Sequence, residues 1–299
     1  LKHCLHTLDR RDSRAGDLKA RQTALKWLLV VCFGYLGYKN ARFGRVESHE
    51  AVTAISRELL LQAKENAEEM GFTVLHMYVD SLFVKREGTQ NEVDFLPLVE
   101  KIQQQSGIGV SLEGVYRWLV FLPARHDRRI PVANRYFGVF EDGTLKYRGI
   151  ALRRHDTCPY VAQTQLDILD CLAQADDPRQ QWREAWALVN QRMRSLQRRQ
   201  AAVEALQMAV KLSRDPQSFH RPSAAAQAAR QLQAEGVAVR AGMRLFFWYT
   251  LQGVSVTPPG VDCLDWDRYA RLVFRAAAEI LDPLQPVSEV RQFHLPLCR

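Results

Sequence analysis

Residues 74–84 read Val-Leu-His-Met-Tyr-Val-Asp-Ser-Leu-Phe-Val, and the fold turns on how this stretch is read. Apolar, β-branched and aromatic residues on both sides of Asp80-Ser81 predict two short strands with an acidic turn between them. An acidic turn on a hairpin is a common way to hold a divalent cation over a nucleotide. Just upstream, Val52, Ile55, Leu59, Ala63, Ala67 and Met70 recur at spacings of three and four, as on an amphipathic helix. Ser48 is placed to cap the start of that helix and Gly71 to close its end.

Working outward, residues 1–22 are polar and basic, with Arg10, Arg11, Arg14, Lys19 and Arg21 on a solvent-facing helix. Residues 23–36 continue it as an apolar helix that ends near Gly34 and Gly37. Downstream, a helix is expected over 94–105, then strands near 109–122, 134–141 and 144–153. The last two strands are joined by Glu141-Asp-Gly-Thr144, a hairpin signal. This half therefore reads as α+β, with antiparallel strands and covering helices.

From Pro159 the character changes. Residues 160–175 and 178–212 are rich in Gln, Arg and Ala and read as helices, and Pro216 and Pro222 interrupt the pattern. An Ala-rich helix follows over 223–235, stopped by Gly236. Then come an apolar strand at 245–251, a loop at Pro258-Pro-Gly260 and a last helix at 265–281. The domain boundary falls near 156–160.

At 299 residues the chain is long enough for one or two domains with cores of their own. Its 47% hydrophobic and 25% charged residues describe an ordinary soluble globular protein. The net charge of +8 and pI of 9.3 suit a polyanionic partner. The six cysteines, at 4, 32, 158, 171, 263 and 298, form no C-x-x-C pair and no zinc-type cluster with histidine. They read as reduced thiols in the cytosol. The apolar run Trp27–Phe33 is too brief to span a bilayer, and no signal peptide precedes it, so no membrane association is expected. A start at Leu1, in mid-pattern, reads as a fragment or a chain that lacks an upstream partner segment.

Four segments then line up in order: Lys26-Trp-Leu-Leu-Val-Val-Cys-Phe-Gly34, the 74–84 hairpin, Asn134-Arg-Tyr136 and Lys146-Tyr-Arg-Gly149. In this order and at these separations the chain resembles the palm of a family B DNA polymerase. The family's carboxylate motif is Tyr-Gly-Asp-Thr-Asp-Ser. Aligned without gaps it meets His76-Met77-Tyr78-Val79-Asp80-Ser81, which puts Asp80 at the second aspartate and Tyr78 at the first. A slipped register sets Tyr78-Val79-Asp80 on Tyr-Gly-Asp and loses the second aspartate to Leu82. In either register one carboxylate of the pair is gone. The fingers motif Lys-x-x-x-Asn-Ser-x-Tyr-Gly keeps Lys26 and Gly34, replaces its tyrosine with Phe33 and its polar pair with Val30 and Val31. The primer-side motif Lys-Lys-Arg-Tyr becomes Ala133-Asn134-Arg135-Tyr136, without either lysine. The thumb is matched by Leu212-Ser213-Arg214-Asp215-Pro216, Ala228-Ala229-Arg230-Gln231-Leu232 and Ala241-Gly242-Met243-Arg244-Leu245. The family's upstream Asp-x-x-Ser-x-Tyr-Pro type motif and its proofreading exonuclease have no counterpart here.

The resemblance implies the second half of the fingers at 1–46, an antiparallel palm sheet with covering helices at 47–157 and a mainly helical thumb at 158–299. It implies DNA-directed DNA polymerisation from deoxynucleoside triphosphates on a primer-template, by phosphoryl transfer with two Mg²⁺ or Mn²⁺ ions about 4 Å apart. Asp80 would be the catalytic, metal-binding carboxylate. Glu113, in Ser-Leu-Glu-Gly on a strand, either assists a metal or is a strand-end charge. Lys26 would meet the triphosphate, with Phe33 and Gly34 under the nucleotide. Lys39, Arg42, Arg135, Tyr136, Lys146, Arg148, Arg153 and Arg214 would contact DNA, joined by a basic helical surface that includes Arg183, Arg192, Arg194, Arg198, Arg199 and Lys211. Asp156 is expected to orient an arginine. Such a polymerase would be weak or dependent on an upstream segment or partner chain, and would work in the cytoplasm at the nucleoid. The alternative is a polymerase fold without catalysis that binds primer-template as a scaffold or accessory factor. A third reading is an unrelated α+β nucleotide-binding enzyme.

Overall fold

Helix α1 spans Ser13–Leu36, so from Ser13 onward the polar run passes without a break into the apolar one. The computed structural model describes residues 13–285, apart from Gln90, Arg125, Arg128 and residues 220–222. Arg10, Arg11, Cys4, Cys298 and Pro222 lie outside the described residues. The chain divides between Glu113 and Gly114 into two compact units.

In the first unit, a chain of turns follows α1, with Tyr38 N donating to Tyr35 O, Ala41 N to Tyr38 O and Gly44 N to Ala41 O. A side chain at Gly44 would sit 2.3 Å from the Tyr38 carbonyl oxygen, so only glycine lets the chain pass there. Helix α2 then runs Val46–Glu69. It begins ahead of Ser48, the expected cap; Arg45 holds the N-cap position and no side chain caps it. Its end is as expected, with Gly71 left-handed at φ +78°. Ala63, Asn66 and Ala67 are buried, and Asn66 Nδ2 donates to Gln105 Oε1 on helix α3, Leu96–Ser106. Strands β1, Thr73–Tyr78, and β2, Ser81–Lys85, pair antiparallel and pack on α2. Phe72 is buried against Phe95, with the Arg86 guanidinium over its ring at 4.3 Å.

The second unit starts with an antiparallel sheet in the order β3-β4-β5: Tyr116–Pro123, Pro131–Phe140 and Leu145–Arg148. Both outer strands are shorter than expected. Residues 109–115 are not strand, and β5 stops at Arg148 because Gly149 turns left-handed, at φ +63°. The β4–β5 hairpin forms as read: Gly143 is left-handed and Thr144 N donates to Asp142 Oδ1 at 2.7 Å.

Helices α4, Pro159–Leu172, and α5, Trp182–Gln197, follow. The helix expected through 212 ends at Gln197, and Arg199 turns left-handed at φ +56°. Strand β6, Met208–Lys211, takes its place. Helix α6, Ala224–Ala234, is capped by Ser223 Oγ. Strands β7, Arg244–Thr250, and β8, Gly253–Ser255, complete a second antiparallel sheet, β6-β7-β8. Helix α7, Trp266–Leu281, is capped by the Asp265 carboxylate. Its Tyr269, Val273, Ala276, Ala277, Ile280 and Leu281 form one buried stripe.

A single core runs through this unit, from Phe137 and Val139 on β4 through Ile168 and Leu169 on α4 to Phe247 on β7 and Tyr269 on α7. Each such fully buried large apolar side chain contributes about 2 kcal/mol. The strands at 116–148 and the helices beyond 158, read from sequence as two domains, thus share one core. Helices with small antiparallel sheets make the chain α+β. Among the described residues no helix is long and apolar enough to cross a membrane.

Candidate nucleic-acid interface

The first unit carries the expected nucleotide-facing residues. Lys26 is exposed on α1, and Phe33 stacks on His49 of α2 with ring centroids 4.2 Å apart. Nothing lies within 4 Å of the place a Gly34 side chain would occupy. Lys39 and Arg42 are exposed on the turns after α1, with the Arg42 guanidinium 5.4 Å from the Phe43 ring.

Tyr78 pairs with Ser81, so the two turn residues of the hairpin are Val79 and Asp80, and Ser81 already belongs to β2. This is one residue earlier than the sequence suggested. Asp80 is exposed at the tip, its carboxylate 3.5 Å from Ser81 Oγ. Val79 has φ +53°, a conformation that costs a β-branched residue energy. Glu113 is exposed in a segment with no strand, a correction to the strand expected there. Among the described residues no three His, Cys, Asp or Glu side chains gather closely enough to hold a metal ion.

In the second unit the register between β3 and β4 shifts between Phe121 and Pro123, and Asn134 turns left-handed at φ +56°. Asn tolerates that conformation better than most residues. Such an irregularity re-aims the next side chain. Arg135 Nε donates to the Gly149 carbonyl at 3.0 Å, and its guanidinium pairs with Glu279 of α7. A side chain at Gly149 would lie 2.5 Å from Asn134 O and 2.6 Å from Arg135 Cγ, so the close approach needs glycine. Glu279 Oε2 also accepts from Ala151 N at 2.9 Å and from Gln165 Nε2 at 3.1 Å. Gln165, fully buried on α4, accepts from Leu152 N. Residues 149–152 are therefore clamped from two helices.

This clamp frames a basic pocket. Lys146 and Arg148, two apart on β5, share a face of the sheet. With Leu145, Tyr147 and Arg153 they line an open cavity of about 270 Å³, three of whose five lining residues are cationic. Beside it, Arg154 makes a two-point ion pair with Asp156, at 2.9 and 2.7 Å. That hydrogen bonding holds the Asp156 carboxyl below its ordinary value, and Asp156 orients an arginine as expected.

The other expected DNA contacts are dispersed. Arg135 is engaged by Glu279 and Gly149, as described. Tyr136 is only 6% exposed and packs toward Phe121. Arg214 is exposed, its guanidinium 5.9 Å from the Phe219 ring. On the helical surface, Arg192 pairs with Asp167 and Arg199 with Asp262. Sequence reasoning missed Glu279 and Gln165. Their one signal was a carboxylate and an amide beside apolar helix stripes, too common a pattern to single them out.

The profile of DNA polymerase family B matches residues 2–259. The chain belongs to DNA polymerase family B. It is 39% identical to DNA polymerase 2 of Saccharolobus solfataricus over 122 residues, which cover 40% of this chain and 18% of that protein. It is 27% identical to a DNA polymerase of Archaeoglobus fulgidus over 238 residues, covering 79% of this chain and 29% of that one. The solved family B polymerase of Pyrobaculum calidifontis shares the fold, with a TM-score of 0.61 at 23% identity over 98% of this chain and 36% of its own. The chain thus spans less than a third of the length of these two sequence relatives.

Proposed function

We propose that this chain is the part of a DNA-directed DNA polymerase that meets the incoming triphosphate and grips the primer-template. The observation that carries this reading is the β5 pocket, which Lys146, Arg148 and Arg153 line together. Three cations in one concavity suit the phosphates of a DNA backbone. Lys26 and Phe33 on α1 are the groups for the triphosphate and the nucleotide face, and Lys39 and Arg42 extend the DNA contact. The protein acts on cytoplasmic, nucleoid-associated DNA.

Family B polymerases are divalent-metal enzymes, and bound Mg²⁺ or Mn²⁺ supplies charge stabilisation at the transferred phosphoryl group. The described residues do not by themselves fit a pair of such ions. Asp80 supplies one carboxylate, and among the described residues no cluster of three candidate ligands forms around it. We place the remaining carboxylates on an upstream segment or a partner chain. The same observation favours a second reading, in which the fold keeps DNA binding without turnover. Val30 and Val31, in place of a polar pair beside Phe33, point the same way.

Primer extension in Mg²⁺ and in Mn²⁺, run alongside primer-template binding, separates the two. Extension that disappears in Asp80→Ala supports the polymerase. Binding without extension by either protein supports the scaffold. Unchanged binding in a Lys146→Glu/Arg148→Glu/Arg153→Glu variant removes the β5 pocket from both.

A further inference from the structure

The sheet β6-β7-β8 has an outer face that the β5 pocket does not explain. Lys211 pairs with Arg244 and Ala209 with Phe246, so these four side chains share one face. Phe246 is 45% exposed, although the next strand position, Phe247, is fully buried. The residue opposite Phe246 is the small Ala209, which leaves the neighbouring strand nothing large enough to cover the ring. The Arg244 guanidinium lies 5.4 Å from that ring.

Two more cations flank this end of the sheet. Leu212 N donates to Met243 O, and Gly242 N donates to Leu212 O, which joins the ends of β6 and β7. The loop that follows β6 is tied back by Ala241 N donating to Asp215 Oδ1, and the exposed Arg214 and Arg240 stand beside those bonds. Among the described residues no carboxylate forms an ion pair with Lys211, Arg214, Arg240 or Arg244.

We infer that this face is a second nucleic-acid site, which takes single-stranded DNA with an unpaired base stacked on Phe246. Cations without carboxylate partners select a polyanion. An uncovered aromatic ring among them selects a flat, unpaired base, because a duplex hides its base faces. Arg244 over the ring strengthens the platform through cation–π contact. The inference rests on the reading of the chain as a DNA-binding protein but shares no residue with the β5 pocket, so either can fail alone.

The test is fluorescence anisotropy of the full chain with a labelled oligothymidine and with a blunt duplex of equal length. Phe246→Ala should weaken single-strand binding by about tenfold, the loss of one stacked base, and leave duplex binding unchanged. Phe246→Tyr should retain single-strand affinity. Arg244→Glu should weaken single-strand binding, whereas Arg148→Glu should weaken only the duplex. The ring is exposed, so matched circular dichroism and urea midpoints are expected for all variants. Wild-type single-strand affinity in Phe246→Ala overturns the inference and leaves the face to a protein partner. Equal loss of single strand and duplex in Phe246→Ala also overturns it, because stacking would not be the mode.

Discussion

Val79 carries the clearest strain of any single residue near the expected chemistry. A branched side chain at φ +53° costs about 1–2 kcal/mol relative to a relaxed backbone. Asn accepts that conformation, so Val79→Asn should stabilise the first unit by about 1 kcal/mol, read as a raised urea midpoint. A lowered midpoint would mean that the valine side chain does packing the exposed tip does not suggest. Asp156 offers a second test at this scale. Arg154 depresses its pKa below the ordinary 3.8. A depressed carboxylate adds stability above its unfolded-state value, and that stability is lost as pH falls through the folded value. Carboxyl NMR should therefore show Asp156 titrating below 3.8, and Arg154→Ala should move it up. An unshifted titration in the variant would rule out the ion pair as the cause.

At the scale of elements, the clamp on residues 149–152 depends on Glu279. Glu279→Ala leaves Arg135 without its partner and Ala151 N and Gln165 with one acceptor fewer. The expected cost is about 3 kcal/mol, measured by chemical unfolding, together with weaker duplex binding at the β5 pocket. Stability lost with DNA affinity intact would show that the clamp does not shape the pocket. Elements of this kind were unevenly legible in sequence. The apolar stripe of α2, the β1–β2 hairpin and the Asp142-Gly143 turn each carry their signal within a few residues, and each was read. Strand β6 is four residues long, too short for an alternation to show, and it was absorbed into the preceding helical pattern. The cap of α2 was misplaced because Ser48 had the right chemistry at the wrong turn. The Glu279 clamp was beyond reach, because its partners are scattered along the chain and no local pattern joins them.

At the scale of the molecule, burial separates the cysteines. Cys158 is 1% exposed, and burial raises its thiol pKa above 9.0, whereas Cys32 and Cys263 are exposed. Alkylation of the native protein at mildly alkaline pH should label Cys32 and Cys263 and spare Cys158 until the second unit unfolds, as peptide mass spectrometry would record. Early labelling of Cys158 would place it outside the core. Family membership was legible from four short motifs, because their order along the chain survives even where single residues have changed. The extent of the second unit was not, because the shared core of β4, α4 and α7 is made by contacts distant in sequence. That distance bears on biosynthesis. Arg135 and Glu279 are 144 positions apart, and both must be present before residues 149–152 are held. A ribosome adds about 5–20 residues each second. The basic pocket on the emerging chain therefore stays unfinished for roughly 7 to 29 seconds, the time between the synthesis of Arg135 and that of the carboxylate that fixes it.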